Sequence, residues 1–270
     1  MLESKPRPLF SLGGVYFGLA AAFLYLPILL LILFSFNDSR TLVFPLREFT
    51  TRWYEELLDS PELLRSLANS VWVGLLSSLV ATLLGTMAAL AIVRFRFRLQ
   101  GLFMAVSTIP LVIPSVVLGV ALLLVFAQFG VPLSLLAVGI GHTILNIPYA
   151  MLIVAARLAG FSNHLEEAGM DLGLTYWGTL LRVTLPISAP ALLAAFLSSF
   201  TTSFDEFAVA FFLVGTEATL PVYLYSQLRF PSRLPLVVAL TALVMVASIL
   251  IVLGIELLQR RSLSTHRRST

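Results

Sequence analysis

Six stretches of this chain are long and almost free of charge: residues 15–36, 66–93, 102–128, 133–158, 188–215 and 235–258. Crossing a hydrocarbon core takes about 20 apolar residues. Inside that core no water pairs with backbone N–H and C=O groups, so each stretch is expected to be helical. A membrane β-barrel would instead show segments of about ten residues with alternating polarity. The expected fold is all-α: a polytopic membrane protein with six transmembrane helices in a single domain spanning residues 1–270.

Composition agrees. Of the 270 residues 59% are hydrophobic and 11% charged, whereas soluble domains carry about 25% charged residues. There is no cysteine, which excludes disulfides, iron–sulfur clusters and thiol catalysis. The formal charge of +3 calls for no nucleic-acid partner, because the cations sit at the ends of spans. Lys5 and Arg7 ahead of the first apolar stretch imitate a signal peptide. The stretch is too long for one and no small-x-small cleavage site follows, so it reads as a retained span.

The arginines set the orientation. Lys5, Arg7, Arg94, Arg96, Arg98, Arg157, Arg182, Arg260, Arg261, Arg267 and Arg268 fall on one side, and Arg40, Arg47, Arg52, Arg65, Arg229 and Arg233 on the other. The richer side is expected to be cytoplasmic. Both termini and the polar loop at about residues 160–187 then lie inside, an N-in/C-in arrangement. The outer loop 37–65 is acidic, with Asp38, Glu48, Glu55, Glu56, Asp59 and Glu62, and its Trp53-Tyr54 pair reads as an interfacial anchor. Pro110 and Pro114 interrupt the third stretch and Pro148 the fourth, which predicts bent helices.

The 160–187 loop has internal order. Asn163 with Glu166 has the form of an N-terminal helix cap. Leu165, Ala168, Gly169 and Leu172 then share one helical face, with Glu166, Glu167 and Asp171 beside it. Gly173 is a natural helix end. Thr175 can begin a second short helix through Leu181, and Pro186 marks the turn into the fifth span. Two short helices hinged at Gly173 form a knob suited to a groove on another protein. An amphipathic helix lying on lipid would carry Lys and Arg on its polar face, and this face is acidic. Lys5 is the only lysine, so no phosphate-binding Gly-x-x-x-x-Gly-Lys-Ser/Thr loop exists, and any ATP-derived energy must come from a separate subunit.

Asp205 and Glu206 are the only acids well inside an apolar stretch, where a charge costs about 2.5–3.5 kcal/mol at the centre of a span. Ser198, Thr201, Thr202 and Asp205 form a polar stripe flanked by Phe200, Phe204 and Phe207. Carboxylates with aromatics in a water-poor path suit an organic cation. Bonding to a neighbouring subunit, or exposure at a helix break, would also account for the acids. His142 and Asn146, one turn apart, read as a buried hydrogen-bonding pair between helices. No metal site is expected, since the chain has three histidines and His164 and His266 fall in cytoplasmic regions.

Glu167-Ala168-Gly169, Gly173 and Val183-Thr184-Leu185-Pro186 resemble the cytoplasmic loop of ABC importer permeases. That loop reads Glu-Ala-Ala, three residues, Gly, nine residues, Ile-x-Leu-Pro. Gly169 stands for the second Ala and Val183 for Ile. Ser35-Phe36-Asn37-Asp38, the Trp53-Tyr54 region, Arg94-Phe95-Arg96-Phe97 and Ser203-Phe204-Asp205-Glu206-Phe207 extend the resemblance over nearly the whole chain. They are similar to the C-type permease subunits of spermidine/putrescine importers, in which two aspartates stand where this chain has Asp205-Glu206.

The resemblance implies a type I ABC importer permease fold in the bacterial inner membrane. It implies a second, homologous permease subunit, two ATPase subunits carrying ATP and magnesium, and an extracytoplasmic substrate-binding protein. This chain would hold no cofactor and do no covalent chemistry. Glu167, Ala168, Gly169, Gly173, Leu185 and Pro186 would form the ATPase-coupling loop, and Asp205, Glu206, Ser198, Thr202 and Phe204 the substrate path. Permeases for other organic cations, opines or metal–organic substrates share much of the pattern. An ion-coupled secondary transporter has no use for such a loop. An intramembrane enzyme is disfavoured because adjacent acids point about 100° apart on a helix and no Gly-x-Ser-x-Gly elbow is present.

Overall fold

A computed structural model describes residues 12–39, 45, 46, 48–160, 162–246 and 249. Its helices are α1 (Leu12–Phe34), α2 (Arg52–Leu58), α3 (Pro61–Arg94), α4 (Gln100–Val112), α5 (Ser115–Gln128), α6 (Leu135–Ala159), α7 (Asn163–Asp171), α8 (Tyr176–Thr179), α9 (Leu185–Asp205), α10 (Ala208–Leu213) and α11 (Leu220–Gln227). A further apolar helix, α12, covers Pro231–Val246. Among the described residues no sheet forms, only an isolated antiparallel bridge between Asn37 and Phe49.

Among the described residues four continuous helices are long and apolar enough to cross a membrane, or five if the α4–α5 pair is one span. The sixth expected span is described only as far as Val246 and at residue 249. The rest of it lies outside the described residues, as do Lys5, Arg7, Arg40, Arg47, Arg260, Arg261, His266, Arg267 and Arg268.

The third apolar stretch is two helices meeting at 106°. Pro114 has no N–H to donate and disfavours helical geometry at the residue before it. Ile113 is accordingly extended, at φ −74° and ψ 127°. Pro110 and Pro148 each sit inside a continuous helix. The fifth stretch breaks at Glu206, which is extended at ψ 112°, and resumes as α10.

The chain divides into two compact units, Glu62–Tyr225 and Met1–Pro61 with Ser226–Thr270. In the second of these, Trp53 is not an interfacial anchor but buried, donating from Nε1 to the Asn37 carbonyl at 3.0 Å. The Tyr54 hydroxyl lies 2.6 Å from Ser35 Oγ. The pair pins α2 to the residues that end α1.

Within Glu62–Tyr225, α3 shows what decides the packing. Trp72, Leu76, Leu79, Leu83 and Met87 line an exposed face, while Ser66, Ser70, Gly74, Ser77, Ala81, Gly85 and Ala89 are buried. A helix in water buries its large apolar residues instead. In lipid, Leu gains nothing by turning inward, and small residues let helix backbones approach closely. Gly85 is the tightest such crossing: a Cβ there would lie 2.7 Å from Ala150 Cβ and 2.7 Å from Met151 N on α6.

The α6–α9 seam uses the same device, with Ser188, Ala195, Ser199 and Ser203 buried along α9. Two apolar clusters flank it. One contains Ala137, Val138 and Leu145 with Leu118, Val209 and Leu213; the other contains Ala150, Met151, Val154 and Leu158 with Ala89 and Ala195.

A test follows from two glycines, one at a crossing on α3 and one at an open position on α6. Gly85→Ala should cost about 1–3 kcal/mol of overpacking. Gly139→Ala, whose Cβ would meet nothing within 4 Å, should be neutral or mildly stabilising through helix propensity. Thermal aggregation midpoints of the two purified variants, compared with the parent, provide the check.

Candidate functional site

The polar loop at 160–187 is built as a short helix folded back on the start of a long one. Ser162, not Asn163, caps α7: its Oγ accepts from the His164 N–H at 3.4 Å. At the other end the Gly173 N–H donates to the Met170 carbonyl at 2.9 Å and the Leu174 N–H to the Gly169 carbonyl at 3.1 Å. This pair of bonds is a Schellman closure, which requires a left-handed residue, and Gly173 supplies it at φ +90°. Thr175 then caps α8, accepting from the Gly178 N–H at 3.2 Å.

The second helix does not stop near Leu181. It passes through a π turn at Leu180–Thr184 directly into α9, giving one continuous helix, Tyr176–Asp205, of 30 residues. Pro186 is therefore in the first turn of α9 rather than at a turn between elements. A proline ring crowds the carbonyl four residues back in a regular helix, and the turn immediately upstream of Pro186 is the wider π turn.

The outer face of α7 carries Leu165, Ala168 and Leu172, all exposed, with Leu172 87% accessible. Gly169 does not belong to this face. It is buried, and a Cβ on it would sit 3.4 Å from Thr179 Cγ2 and 3.5 Å from Val183 Cγ2. An alanine fits there and a larger side chain does not. The two adjacent glutamates also separate. Glu167 is exposed, with Oε2 3.0 Å from His164 Nδ1. Glu166 turns inward, where Oε1 accepts from Arg94 and from the Thr184 hydroxyl. Leu185 is half-buried, while Pro186 and Asp171 are exposed.

At the far end of the Tyr176–Asp205 helix, Asp205 is the last residue and is exposed. Glu206 occupies the break, and its Oε1 accepts from the Val209 N–H at 3.0 Å, satisfying a free donor in the first turn of α10. Ser198, Thr201 and Thr202 remain on an open face, Ser198 and Thr202 half-buried and Thr201 exposed. The two threonine hydroxyls bond back to carbonyls of their own helix. Phe204 is half-buried against Phe200, with ring centroids 6.0 Å apart. Beyond the break, Phe207, Phe211 and Tyr225 form a mutually contacting aromatic group with centroids 4.9–5.7 Å apart.

The sequence singled out this stripe but not the face behind it. Ser203 Oγ lies 2.7 Å from His142 Nδ1 and 3.0 Å from Ser77 Oγ, joining α3, α6 and α9 in one buried network. Asn146 donates to the His142 carbonyl at 2.8 Å on its own helix. His142 is thus a helix-to-helix contact, as expected. Asn146 bonds within α6 rather than across it.

The family described as "Binding-protein-dependent transport system inner membrane component" matches residues 81–264. The chain is 32% identical over 250 residues to the spermidine/putrescine transport system permease protein PotC of Escherichia coli, covering 92% of this chain and 94% of that one. It is 36% identical over 219 residues to the putrescine transport system permease protein PotI of the same species, covering 78% of each. A crystal structure of a bacterial ABC transporter involved in import of the acidic polysaccharide alginate has a chain of the same fold. It superposes with a TM-score of 0.71 at 17% identity, covering 93% of this chain and 99% of that one. The chain belongs to the family of inner-membrane components of binding-protein-dependent transport systems, as a permease subunit.

Proposed function

We propose that this permease subunit serves an ATP-driven importer of polyamines, with spermidine and putrescine as its cargo. The observation that carries the reading is the exposed apolar knob of α7, at the base of a continuous helix whose other end bears Asp205. The activities named for the PotC and PotI relatives supply the substrate class, and the carboxylate with nearby aromatic rings suits a flexible polycation.

In this reading the chain is one permease domain over residues 1–270, with six spans and both termini in the cytoplasm. It pairs with a second, homologous permease above two ATPase subunits and receives substrate from an extracytoplasmic binding protein. It holds no cofactor; ATP and magnesium belong to the ATPases. Leu165, Ala168 and Leu172 seat in an ATPase groove, and Glu167 faces that partner at the rim. Gly169 and Gly173 hold the knob's shape. Leu185 and Pro186 begin the span that moves with it. ATP-driven closure of the ATPases displaces the knob, and the Tyr176–Asp205 helix carries the movement outward. Ser198, Thr202, Phe204, Asp205 and Glu206 line the path opened by alternating access, with Glu206 also holding the break in shape.

Three tests follow. Gly173→Val should strain the left-handed closure and Glu167→Lys should misplace the ATPase. Both should lower binding-protein-stimulated ATP hydrolysis while leaving membrane insertion normal, and Gly169→Ala should be tolerated. Full stimulation in both damaged variants excludes the docking role.

Cysteines at Ser4, Asn163 and Ser269 should be shielded from impermeant thiol reagents in intact cells, and one at Ser60 labelled. The cysteine-free sequence gives a clean background. Labelling of Asn163→Cys from outside inverts the topology.

Asp205→Asn should reduce spermidine uptake by about tenfold or more, the effect expected when a partly desolvated charge attraction is lost. Ser198→Ala should cost less, and Glu206→Asp should keep most activity. Unchanged uptake in the Asp205→Asn/Glu206→Gln double variant removes the path assignment.

A further inference from the structure

Three hydrogen bonds end on a single oxygen at the base of the coupling loop. Arg94 donates to Glu166 Oε1 from Nε at 3.2 Å and from Nη2 at 3.1 Å, and the Thr184 hydroxyl donates to the same atom at 2.8 Å. Arg94 is the last residue of α3, Glu166 lies in the first turn of α7, and Thr184 closes the π turn. Arg94 Nη1 also reaches the Leu158 carbonyl near the end of α6, at 3.4 Å. The two charged side chains are only 11% and 16% exposed. Beside them is a cavity of about 20 Å³, room for one water, lined by Arg94, Glu166, Thr179 and Thr184. The buried Thr179 Oγ1 has no protein partner.

The other packing of α7 on the long helix is of a different kind. Gly169 faces Thr179 and Val183 with no side chain of its own, and even an added Cβ would meet them only at ordinary van der Waals distance, a packing that lets surfaces slide. The ion pair is directional and partly desolvated, so separating its members leaves a charge without a partner in a poorly hydrated place. A pull on α7 is therefore transmitted to α3 through Arg94, and to the π turn through Thr184. π turns are local departures from regular helix that occur often at functional sites, and this one lies where the coupling loop becomes the membrane span.

We propose that Arg94 and Glu166 are positioning residues for transport: the joint through which movement of the coupling helix reaches α3 and the π turn. Glu167 meets the partner; Glu166 passes the motion on. This rests on the reading that α7 docks the ATPase, and the two are separated by comparing substitutions at the neighbouring glutamates.

The experiment uses the full importer, with its partner subunits and binding protein, in lipid nanodiscs and proteoliposomes. The variants are Glu166→Gln, Arg94→Gln, Thr184→Val and the exchange Arg94→Glu/Glu166→Arg. Glu166→Gln should assemble at parental yield and retain stimulated ATP hydrolysis. ATP consumed per spermidine delivered should rise about fivefold, the size of effect expected for residues that couple two sites. Thr184→Val should give a smaller rise, and the exchange should restore part of the coupling. A readout that needs no substrate is the distance between spin labels at Asp171→Cys and Met87→Cys. On ATP binding it should hold constant in the parent and change in Glu166→Gln.

Proportional loss of uptake and hydrolysis without a change in their ratio overturns the proposal, as does a label distance that shifts equally in parent and variant. If Glu167→Lys abolishes stimulation while Glu166→Gln changes neither ratio nor distance, this inference alone fails. If Glu167→Lys leaves stimulation intact, the docking reading fails first.

Discussion

Lipid offers no hydrogen bonds and gives no reward for turning leucine inward. Those two facts account for most of what holds Glu62–Tyr225 together. Polar side chains must find partners inside the protein, so Ser77, His142 and Ser203 join three helices in one buried network. Such bonds average only about 0.6 kcal/mol in a membrane protein. Close backbone approach supplies the rest, and it is available only where the residues are small: Gly85 against Ala150 and Met151, and Ala195 with the serines of α9 against α6. Trp72, Leu76, Leu79, Leu83 and Met87 of α3 face outward.

The same economy shapes the functional parts. The 160–187 loop is not a separate module but the base of a transmembrane element, since α8, the π turn and α9 are continuous. At about 1.5 Å per residue, its 30 residues are long enough to link that loop to Asp205 across a bilayer. The break at Glu206 ends that rigid element. Its carboxylate caps α10, so one acid of the pair holds the helix end in shape while Asp205 stays exposed. That division fits a path in which one acid attracts a cation and the other maintains the geometry.

Much of this was legible in the residues, and the exceptions share a cause. Continuous apolar stretches marked the helices because length and polarity are one-dimensional properties. Gly173 was readable as a helix end because only its backbone freedom suits the closure. What the residues left undecided depended on three-dimensional partners. Pro148 leaves α6 unbroken while Pro114 turns the chain, a difference that residue type alone does not encode. Trp53 looked like an interface anchor but is buried on the Asn37 carbonyl. Glu166 and Glu167 are chemically alike, and only helical phase separates them: Glu166 lies three residues before the buried Gly169, on the inward side. The face of α9 that packs on α6 carries serine and alanine, which in a soluble protein would read as a solvent face. Its role appears only when lipid is the reference solvent.

The account stands or falls on whether this subunit moves polyamine at the expense of ATP hydrolysed by a partner. The direct measurement is accumulation of radiolabelled spermidine in proteoliposomes holding the purified four-component complex, with substrate-loaded binding protein outside and ATP with magnesium inside. The account predicts uptake that requires ATP and the binding protein and survives collapse of all ion gradients. Uptake that proceeds without ATP and follows a proton or sodium gradient would contradict it.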